Sequence, residues 1–324
     1  MSDNTGANMP GPKTAGYKLA TYQSAEGPRA GLVVGDNVLD AAKLTGKAAY
    51  ASVLGILEDW KAAAPALKAA VAKGPKGSKG RAGARALKGT KLLAPVLWPS
   101  AIYCAGANYA DHVAEMNKAH GRPPEPDPHT LGLQSWHFIK ASRSLADPGA
   151  TIKISDYSSK MDWEVELAAV IGRKAKHVPQ EKALAYVAGY TVANDLSARD
   201  RGRRPHVADT SPFKADWVSH KSFDGSCPLG PWIVPASDIP DPQNLGIKLW
   251  VNDVLKQDSN TGEMIFNLAE QIAHLSSRIT LHPGDLILTG TPAGVGTGRG
   301  EFLKAGDVVK IWIEGIGSIS NKMA

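Results

Sequence analysis

From Leu92 onward the chain consists of short apolar segments separated by turn residues, a pattern typical of β-strands. WVNDVLKQD, at residues 250–258, predicts a hairpin that turns at Asn252-Asp253. HPGDLILTG and KAGDVVKIWI each place a Gly-Asp turn before an apolar run, and we expect the two runs to be successive strands of one sheet. Helices are expected at 109–119, 180–187 and 265–278. The pattern therefore predicts an α+β class with a mainly β core.

The segment before Leu92 differs in composition. YKLATYQ and AGLVVGDNVLD predict strands, and residues from about 41 to 72 predict a helical stretch. Nine Lys and Arg residues lie between Lys61 and Lys91 with no Asp or Glu, so the net charge of +6 becomes negative without this segment. We interpret its centre, residues 73–83, as a solvated connector, with weak attraction to an acidic partner as the alternative. We predict a small N-terminal domain at 1–91, with a basic linker at about 73–91, and a second domain at 92–324.

Composition also limits location and partners. No segment approaches the ~20 apolar residues of a membrane helix, and the first residues lack the apolar core of a secretory signal. The two cysteines, Cys104 and Cys227, lie in apolar runs, which argues against a disulfide framework and favours a reducing cytoplasm. The basic segment has no aromatic residues for stacking on bases, so we expect neither nucleic acid nor a membrane as a partner.

One group of candidate site residues lies in MDWEVELAAVIG, residues 161–172. In a strand, Asp162, Glu164 and Glu166 share one face, and adjacent members lie about 6.5 Å apart. Two ionised carboxylates at that distance repel by about 2–3 kcal/mol at an effective dielectric near 20. Water, cationic side chains, raised pKa values or a bound divalent cation would each offset this repulsion. Asp195, where the next apolar run becomes polar, is either a third ligand or a turn former.

GANYADHVAEMN, at residues 106–117, predicts a helix with Asn108 as its N-cap and Asp111 in a capping-box position. His112 and Glu115 are three residues apart and share a helix face. A carboxylate beside an imidazole raises its basicity, as activation of a water requires. The alternative is an ordinary surface pair.

LILTGTPAGVGTGRG, at residues 286–300, predicts a strand that enters a glycine-rich loop. Its backbone N–H groups and the Thr291 hydroxyl are suited to holding a carboxylate or a developing oxyanion. The glycine spacing fits neither a phosphate-binding loop of the Gly-Lys-Ser/Thr type nor a dinucleotide-binding fingerprint. Many β-turns share this composition.

Together these motifs resemble the fumarylacetoacetate hydrolase family. In chain order the matching motifs are NYADHVAEM, Glu164-x-Glu166, Asp195 followed by LSARD, Lys221 in HKSFDGSCPLGPW, and TGTPAGVG. The resemblance covers about residues 93–321 and implies a mixed β-roll catalytic domain. The first 92 residues resemble only loosely the small leading domain of longer members.

The resemblance also implies roles for individual residues. Glu164, Glu166 and Asp195 would hold one Mg²⁺ or Mn²⁺ ion, while His112 and Glu115 would generate the nucleophilic hydroxide. Lys221 would stabilise the carbanion or enolate left by bond cleavage. Substrate-binding roles fall to Lys140, Arg199, Gly290 and Thr291. A small anionic dioxo acid is the implied substrate, and a homodimer is expected by resemblance alone.

Two segments depart from the family pattern and bear on substrate choice. Many relatives read ARD-x-Gln, whereas here Asp200 is followed by Arg201-Gly202. Arg201, Arg203 and Arg204 are candidates for contact with an anionic substrate, or they belong to a solvated loop. The proline-rich segment 120–134 follows the predicted catalytic helix and is a candidate lid.

Three classes of function follow. The leading one is metal-dependent hydrolysis of a carbon–carbon bond in an acylpyruvate, fumarylpyruvate or diketo-deoxy sugar acid. The second is oxaloacetate decarboxylation, or isomerisation or decarboxylation of a hydroxymuconate-type diacid. The third is a non-catalytic binding protein.

Overall fold

The architecture comes from a computed structural model that describes residues 15–73, 84–154 and 156–324. The first eleven strands are β1 Lys18–Ser24, β2 Gly27–Val34, β3 Asn37–Asp40, β4 Ala84–Ala86, β5 Leu92–Leu93, β6 Ile102–Ala105, β7 His137–Lys140, β8 Leu145–Ala146, β9 Thr151–Ile152, β10 Met161–Asp162 and β11 Val165–Ile171. The remaining strands are β12 Val187–Asn194, β13 Ser197–Ala198, β14 Cys227–Pro235, β15 Gly246–Val251, β16 Val254–Asn260, β17 Leu286–Leu288, β18 Val308–Ile313 and β19 Gly317–Met323.

Helices connect these strands. The α-helices are α1 Ala41–Thr45, α2 Val53–Glu58, α3 Trp60–Lys73, α4 Ala110–Ala119, α5 Trp217–Lys221, α6 Leu268–Arg278 and α7 Gly296–Arg299. Short 3₁₀ helices lie at Ala48–Ala51, Pro128–Leu131, Ser142–Ser144, Gln180–Tyr186, Arg199–Arg201, Ala236–Asp238 and Thr261–Glu263. Among the described residues, none of the helices has the length and apolar character needed to cross a membrane.

Two large sheets build the core. The larger runs in the order β4-β3-β2-β1-β14-β12-β11-β17-β6-β7, with β5 on β1 and β8 on β14. The smaller runs β16-β15-β18-β19-β9, and β10 pairs with β13. Apolar side chains of both sheets, such as Leu167 and Leu249, share one buried cluster. The sheets therefore pack against each other, and β11 is buried along its whole length.

The N-terminal strands extend the larger sheet. β1 pairs antiparallel with β14, with Leu19 opposite Ile233, and β5 pairs with β1. A second apolar cluster contains Leu19 and Leu67 together with Ala168 and Leu286. The predicted division at residue 91 stays a prediction, but the two predicted units share a sheet and a core.

Several local predictions are confirmed. Asn252 and Asp253 have positive φ angles of 50° and 63° and join β15 to β16, as a two-residue hairpin turn of type I′ requires. Helical structure occurs at the three places expected, although Gln180–Tyr186 is a 3₁₀ helix. α6 begins with a capping box formed by Asn267 and Glu270.

The helical stretch predicted from about 41 to 72 is interrupted. α1 ends at Gly46, whose φ of 72° is left-handed and suits a residue without a Cβ. The Ser52 side chain accepts a hydrogen bond from the Gly55 N–H and starts α2. Of the predicted linker, residues 74–83 lie outside the described residues, while Ala84–Ala86 forms β4 on β3.

The expectation that the two Gly-Asp turns lead into strands of one sheet is wrong. Leu286–Leu288 lies in the larger sheet between β11 and β6, and Val308–Ile313 lies in the smaller sheet between β15 and β19. The burial of the two strands shows the reason. All three residues of β17 are buried, whereas β18 alternates between buried and more exposed positions. A turn signature identifies where a strand starts, but not the sheet that it joins.

The predicted N-cap of α4 is also wrong. The N-cap position is Tyr109, which makes no side-chain cap hydrogen bond. The buried Asn108 side chain instead accepts from the Phe266 N–H at 2.9 Å and donates to the carbonyls of Phe266 and Thr289. It therefore ties the start of α4 to the end of β17, because the backbone groups buried there need partners.

Candidate active site

Three carboxylates converge where β11 and β12 meet. Glu164, Glu166 and Asp195 are buried, and each offers an oxygen within 4.8 Å of the others. The antiparallel pairing sets this arrangement, because Val165 lies opposite Asn194. The Asn194 side chain accepts from the Glu164 N–H at 3.0 Å, and the Asp195 N–H donates to the Glu164 carbonyl at 2.9 Å. The hairpin thus brings together two parts of the chain that lie about thirty residues apart.

Cationic side chains surround the cluster. Lys221 Nζ lies 2.9 Å from Glu164 Oε2 and 2.6 Å from Asp195 Oδ2. Lys140 Nζ lies 2.7 Å from Asp195 Oδ1 and also donates to the Leu196 carbonyl. These bonds satisfy Glu164 and Asp195, which would otherwise be unpaired buried charges.

Arg199 joins a fourth carboxylate to the cluster. Its guanidinium donates to Glu164 Oε1 at 2.5 Å and to Asp162 Oδ2 at 2.9 Å. Asp162 was expected on the same face as the two glutamates, but it ends β10 and accepts from the N–H groups of Gly296 and Thr297. It therefore holds Arg199 and the glycine-rich loop in place rather than joining the triad.

Glu166 differs from its neighbours because no described cation forms an ion pair with it. Its Oε2 accepts from the backbone N–H of Gly290 at 2.8 Å. Burial, and then the negative charges of Asp195 and Glu164, raise the pKa of Glu166 well above its ordinary value. Burial alone would raise the pKa of Glu164 too, but Lys221 and Arg199 outweigh it and hold that pKa well below the ordinary range. The described cations of the site thus pair with Glu164 and Asp195 but not with Glu166.

These residues fit a hard divalent cation. Carboxylate oxygens are the ligands that Mg²⁺ and Mn²⁺ favour, and three of them lie close enough to share one ion. Burial, and then the neighbouring carboxylates Asp195 and Glu164, raise the pKa of Glu166, and a cation bound at the triad would oppose both effects.

The predicted dyad lies on α4. His112 Nδ1 lies 3.8 Å from Glu115 Oε2, beyond hydrogen-bond distance. Glu115 Oε2 also accepts from the Gly294 N–H at 2.8 Å, which ties the helix to the glycine-rich loop. Burial would raise the pKa of Glu115, but the interactions with His112 and Gly294 hold it below its ordinary value. The pair is therefore a carboxylate facing an imidazole, as predicted, with a separation that must shorten for a hydrogen bond to form.

Hydrogen bonds from Gln257 connect the glycine-rich loop to the strand that carries the carboxylates. Gln257 Nε2 donates to Thr291 Oγ1 at 2.9 Å and to the Pro292 carbonyl, and Gln257 Oε1 accepts from the Val165 N–H. The Thr291 hydroxyl keeps its own hydrogen for another acceptor. Gly290, with a φ of 97°, approaches Asn108 so closely that a Cβ there would lie 2.9 Å from the Asn108 Cβ.

A cavity of about 130 Å³ opens onto this cluster. Its walls combine charged, polar and aromatic side chains from six parts of the chain. The lining residues are Ala105, Gly106, Ala107, His112, Trp136, Phe138, Glu164, Glu166, Arg199, Trp217, His220, Lys221 and Thr291. A space of this size suits a small organic acid rather than a large cofactor.

One wall of the cavity is aromatic. Phe138 and Trp217 stack with ring centroids 5.3 Å apart, and Trp136 meets Trp217 edge-on at 5.6 Å. Lys221 Nζ lies 5.1 Å from the centre of the Phe138 ring. Gly106 allows Trp136 to approach, since a Cβ at that position would lie 2.1 Å from the Trp136 ring. Sequence reasoning missed this wall, although Trp136 and Phe138 flank His137 with the two-residue spacing of one strand face.

Some predicted substrate residues lie elsewhere. His112, Lys221, Arg199 and Thr291 line the cavity, but Lys140 and Gly290 are absent from its lining and contact Asp195 and Glu166 instead. Substrate contact by Lys140 and Gly290 stays a prediction, and the contacts that the structure gives them are with the carboxylate cluster.

The arginines between residues 201 and 204, where the sequence differs from the family pattern, are also absent from the cavity lining. Arg201 donates to the Tyr157 carbonyl, Arg203 pairs with Asp209, and Arg204 pairs with Asp216. These contacts agree with the solvated-loop interpretation. No residue of the candidate lid, 120–134, lines the cavity, so a lid role stays a prediction.

Comparison with known proteins identifies the same family that the sequence motifs resemble. A family model described as fumarylacetoacetate (FAA) hydrolase C-terminal matches residues 101–324. A mitochondrial oxaloacetate tautomerase of Xenopus laevis is 45% identical over 232 residues, which cover 71% of this chain and 67% of that protein.

Solved structures agree over most of the chain. Maleylpyruvate hydrolase from Sphingobium sp. SYK-6 has a TM-score of 0.73 at 30% identity, covering 95% of this chain and 99% of that one. The structure of maleylpyruvate hydrolase from the same source in complex with manganese(II) ion and pyruvate has a TM-score of 0.71 at 29% identity, covering 95% and 98%. The predicted fold class is confirmed. Because the family model matches more than half of the chain and includes its whole carboxylate cluster, the protein belongs to the fumarylacetoacetate hydrolase family.

Proposed function

We propose that the protein is a divalent-metal-dependent enzyme that moves the C3 proton of a small 2-oxo dicarboxylic acid, with keto–enol tautomerisation of oxaloacetate as its first candidate reaction. The observation that carries the proposal is the buried triad Glu164, Glu166 and Asp195, two of whose members, Glu164 and Glu166, line a small cavity together with His112. The 45% identity to an oxaloacetate tautomerase supports this choice. The leading interpretation thereby moves from hydrolysis to tautomerisation.

The triad would hold one Mg²⁺ or Mn²⁺ ion. Manganese in the structure of a similar hydrolase supports this assignment, as does the observation that no described cation forms an ion pair with Glu166. When bound, such an ion draws electron density from the 2-oxo group and makes the adjacent C3–H more acidic.

His112 is the proposed base. Because Nδ1 faces Glu115, Nε2 is the ring nitrogen left for the substrate. Nε2 takes the proton from C3, the electron pair of the broken C–H bond forms the C2–C3 double bond, and a proton is returned to the former carbonyl oxygen. Glu115 orients the ring and stabilises its protonated form.

Lys221 stabilises the negative charge that develops on the substrate oxygen. Its ammonium lines the cavity, and although burial would lower its pKa, Asp195 and Glu164 raise that pKa and keep the group charged. The Thr291 hydroxyl is a proposed donor to a substrate carboxylate, because the Gln257 amide already occupies its acceptor side. Arg199 is proposed to contact the substrate only along the cavity wall, since its guanidinium holds Asp162 and Glu164.

Carbon–carbon hydrolysis of a 2,4-dioxo acid is the second candidate. The His112–Glu115 pair and the likeness to maleylpyruvate hydrolase favour it. In that reaction the base activates a water that attacks the remote carbonyl, and the products are a carboxylic acid and a pyruvate-type acid. Decarboxylation of oxaloacetate and isomerisation of a muconate-type diacid use the same groups. A cytoplasmic location and a homodimer stay predictions.

A substrate panel with product identification tests the proposal. Purified protein with Mg²⁺, with Mn²⁺ or with chelator is offered oxaloacetate, acylpyruvates and diketo-deoxy sugar acids, and proton NMR follows both tautomers and all products. We expect metal-dependent interconversion of the oxaloacetate tautomers faster than with metal alone, with no more CO₂ than metal alone releases and no second acid. Pyruvate with a second acid would instead establish hydrolysis, and pyruvate with CO₂ in excess of the release by metal alone would establish decarboxylation. Activity that survives chelator and Asp195→Ala would contradict the metal assignment.

A further inference from the structure

His220 is a cavity residue to which neither the sequence motifs nor the proposed reaction gives a role. It lies on α5, directly before Lys221, and lines the cavity beside Trp217. Its Nε2 atom is buried, and among the described residues it has no hydrogen-bond partner. Leaving a buried polar nitrogen unpaired costs free energy, so a ligand group that pairs with it gains affinity.

The packing of the ring indicates where Nε2 points. A Cβ at Gly202 would lie 2.9 Å from Nδ1 and 3.1 Å from Cγ of His220, so this edge of the imidazole packs against the loop. Nε2 is on the opposite edge of the ring, away from Gly202, and it is buried. The Trp217 ring lies 5.6 Å from the imidazole and limits its rotation.

The charge of the ring follows from its neighbours. Burial, and then the positive charges of Lys221 and Arg199, lower the pKa of His220 to about 3. The ring is therefore neutral at neutral pH. A neutral imidazole donates a hydrogen bond through one nitrogen and adds no charge to the site.

The cations near the cavity are already paired with protein carboxylates. Arg199 holds Asp162 and Glu164, Lys221 holds Glu164 and Asp195, and Lys140 holds Asp195. The loop arginines 201, 203 and 204 do not line the cavity. Beyond the Thr291 hydroxyl, which is proposed for one substrate carboxylate, a second anionic group finds no lysine or arginine without a carboxylate partner among the lining residues.

We propose that the Nε2–H of His220 donates a hydrogen bond to the substrate carboxylate farther from the triad and so selects dicarboxylic over monocarboxylic 2-oxo acids. The proposal rests on the proposed function, since it takes the other end of the substrate to lie at Glu164, Glu166 and Asp195. His220 is then a specificity-determining residue for the same cavity.

Two stable 2-hydroxy acids are suitable probes. Malate and 2-hydroxybutanoate share the 2-hydroxy acid end and differ only in a carboxylate against a methyl group at the other end. Calorimetric titration of the Mn²⁺-loaded protein gives the Kd of each acid, and the ratio of the two values measures recognition of the far carboxylate. We expect wild-type protein to prefer malate.

His220→Ala should weaken malate binding by about tenfold or more, the usual effect of losing a hydrogen bond to a charged group, while changing 2-hydroxybutanoate binding little. His220→Gln keeps an N–H donor and should restore part of the preference. His206→Ala, at an exposed position of the same loop region, serves as a matched control that leaves both values unchanged. With oxaloacetate as substrate, His220→Ala should raise KM more than it lowers kcat.

The outcomes separate the two proposals. Equal weakening of both acids by His220→Ala and His220→Gln shows a structural role and overturns the inference. An unchanged ratio in both variants also overturns it, while leaving the proposed function intact. If wild-type protein binds neither acid, the substrate class proposed for the cavity is wrong, and the inference falls with it.

Discussion

At the scale of single residues, the site concentrates opposite charges in a buried volume. The four carboxylates are Asp162, Glu164, Glu166 and Asp195, and the three cations are Lys140, Arg199 and Lys221. By formal charge the carboxylates outnumber the cations by one, and Glu166 is the carboxylate with which no described cation forms an ion pair. A divalent ion at the triad would offset this excess, which makes Glu166 the sharpest test of metal binding.

We expect Glu166→Gln to weaken Mn²⁺ binding by more than about tenfold, because even indirect supports of metal ligands cost 10- to 100-fold when removed. The metal-free variant should unfold with the same or a larger free energy than wild type, since glutamine brings no charge into the buried cluster and keeps an acceptor for the Gly290 N–H. Calorimetry and urea unfolding in chelator measure the two effects. Glu125→Gln, at an exposed position, is the control; unchanged Mn²⁺ affinity in Glu166→Gln contradicts the assignment.

We expect Lys140 to contribute to the free energy of unfolding rather than to contact the substrate. Lys140→Met leaves Asp195 with Lys221 as its one remaining cationic partner among the described residues, and breaking a buried ion pair costs about 3–5 kcal/mol. Urea unfolding of the metal-free protein should show that loss, whereas Lys118→Met on the surface of α4 should not. If Lys140→Met unfolds like wild type but raises KM, the residue contacts substrate as the sequence motif suggested.

At the scale of elements, His129 links the segment after α4 to the start of α6 by hydrogen bonds. Its imidazole lies between Asp127, at 2.8 Å, and Glu270, at 3.0 Å, and packs beside the Phe266 ring. The hydrogen bonds to Asp127 and then to Glu270 raise the pKa of His129 above 6.5. Glu270 is also part of the capping box of α6, so the contact joins the 3₁₀ helix Pro128–Leu131 to the start of that helix.

This contact should stabilise the fold at acidic pH. Because the pKa is raised in the folded state, the stabilisation is fully present below pH 6.5 and is lost as the pH rises through the folded-state value. His129→Gln should therefore lower the Tm at pH 5.5 and have a smaller effect at pH 9. Thermal unfolding of the variant, with His206→Gln as control, measures the difference. An equal loss of Tm at both pH values would mean that packing, rather than charge, holds the segment.

Local structure and the charged residues of the site were open to prediction from sequence. Alternation along residues 161–172 placed Glu164, directly before β11, and Glu166, within it, on the same face, and the change from apolar to polar at Asp195 marked the end of β12. Both signals depend on neighbouring residues within one strand, where the geometry is fixed by the backbone.

Contacts between distant segments could not be predicted from the local sequence pattern. Asn108 has the residue type of a helix cap, yet its side chain pairs with Phe266 and Thr289 more than 150 residues away. The aromatic wall depends on the approach of α5 to β7, and the pairing of Lys140 with Asp195 depends on the loop between β12 and β13. Such contacts follow from tertiary packing, which overrides local preference.

At the scale of the whole molecule, the N-terminal strands and the candidate active site belong to one sheet. β1 pairs with an edge of β14, and β14 in turn pairs with β12, which ends at Asn194, directly before Asp195. Leu19, Leu32 and Ile56 share a buried cluster with Ile233 and other residues of the later segment. The first part of the chain thus supports the strands that carry the site.

A fragment of residues 92–324 should therefore fold poorly by itself. Removing β1 exposes the edge of β14 and its apolar neighbours, which favours aggregation. Expression of the fragment beside the full chain, followed by gel filtration and circular dichroism, tests this. A soluble fragment with cooperative unfolding and normal Mn²⁺ binding would support two independent domains divided at residue 91.

The central claim is that the triad and His112 together move the C3 proton of a small 2-oxo acid. The most direct measurement is deuterium exchange at C3 of oxaloacetate, followed by NMR against metal without protein. Wild-type protein with Mn²⁺ should accelerate the exchange, and chelator or Asp195→Asn should abolish the acceleration. His112→Gln should slow it by about 10²- to 10⁴-fold, the usual contribution of a general base. Acceleration that persists in chelator, or that is unchanged in His112→Gln, would contradict the account.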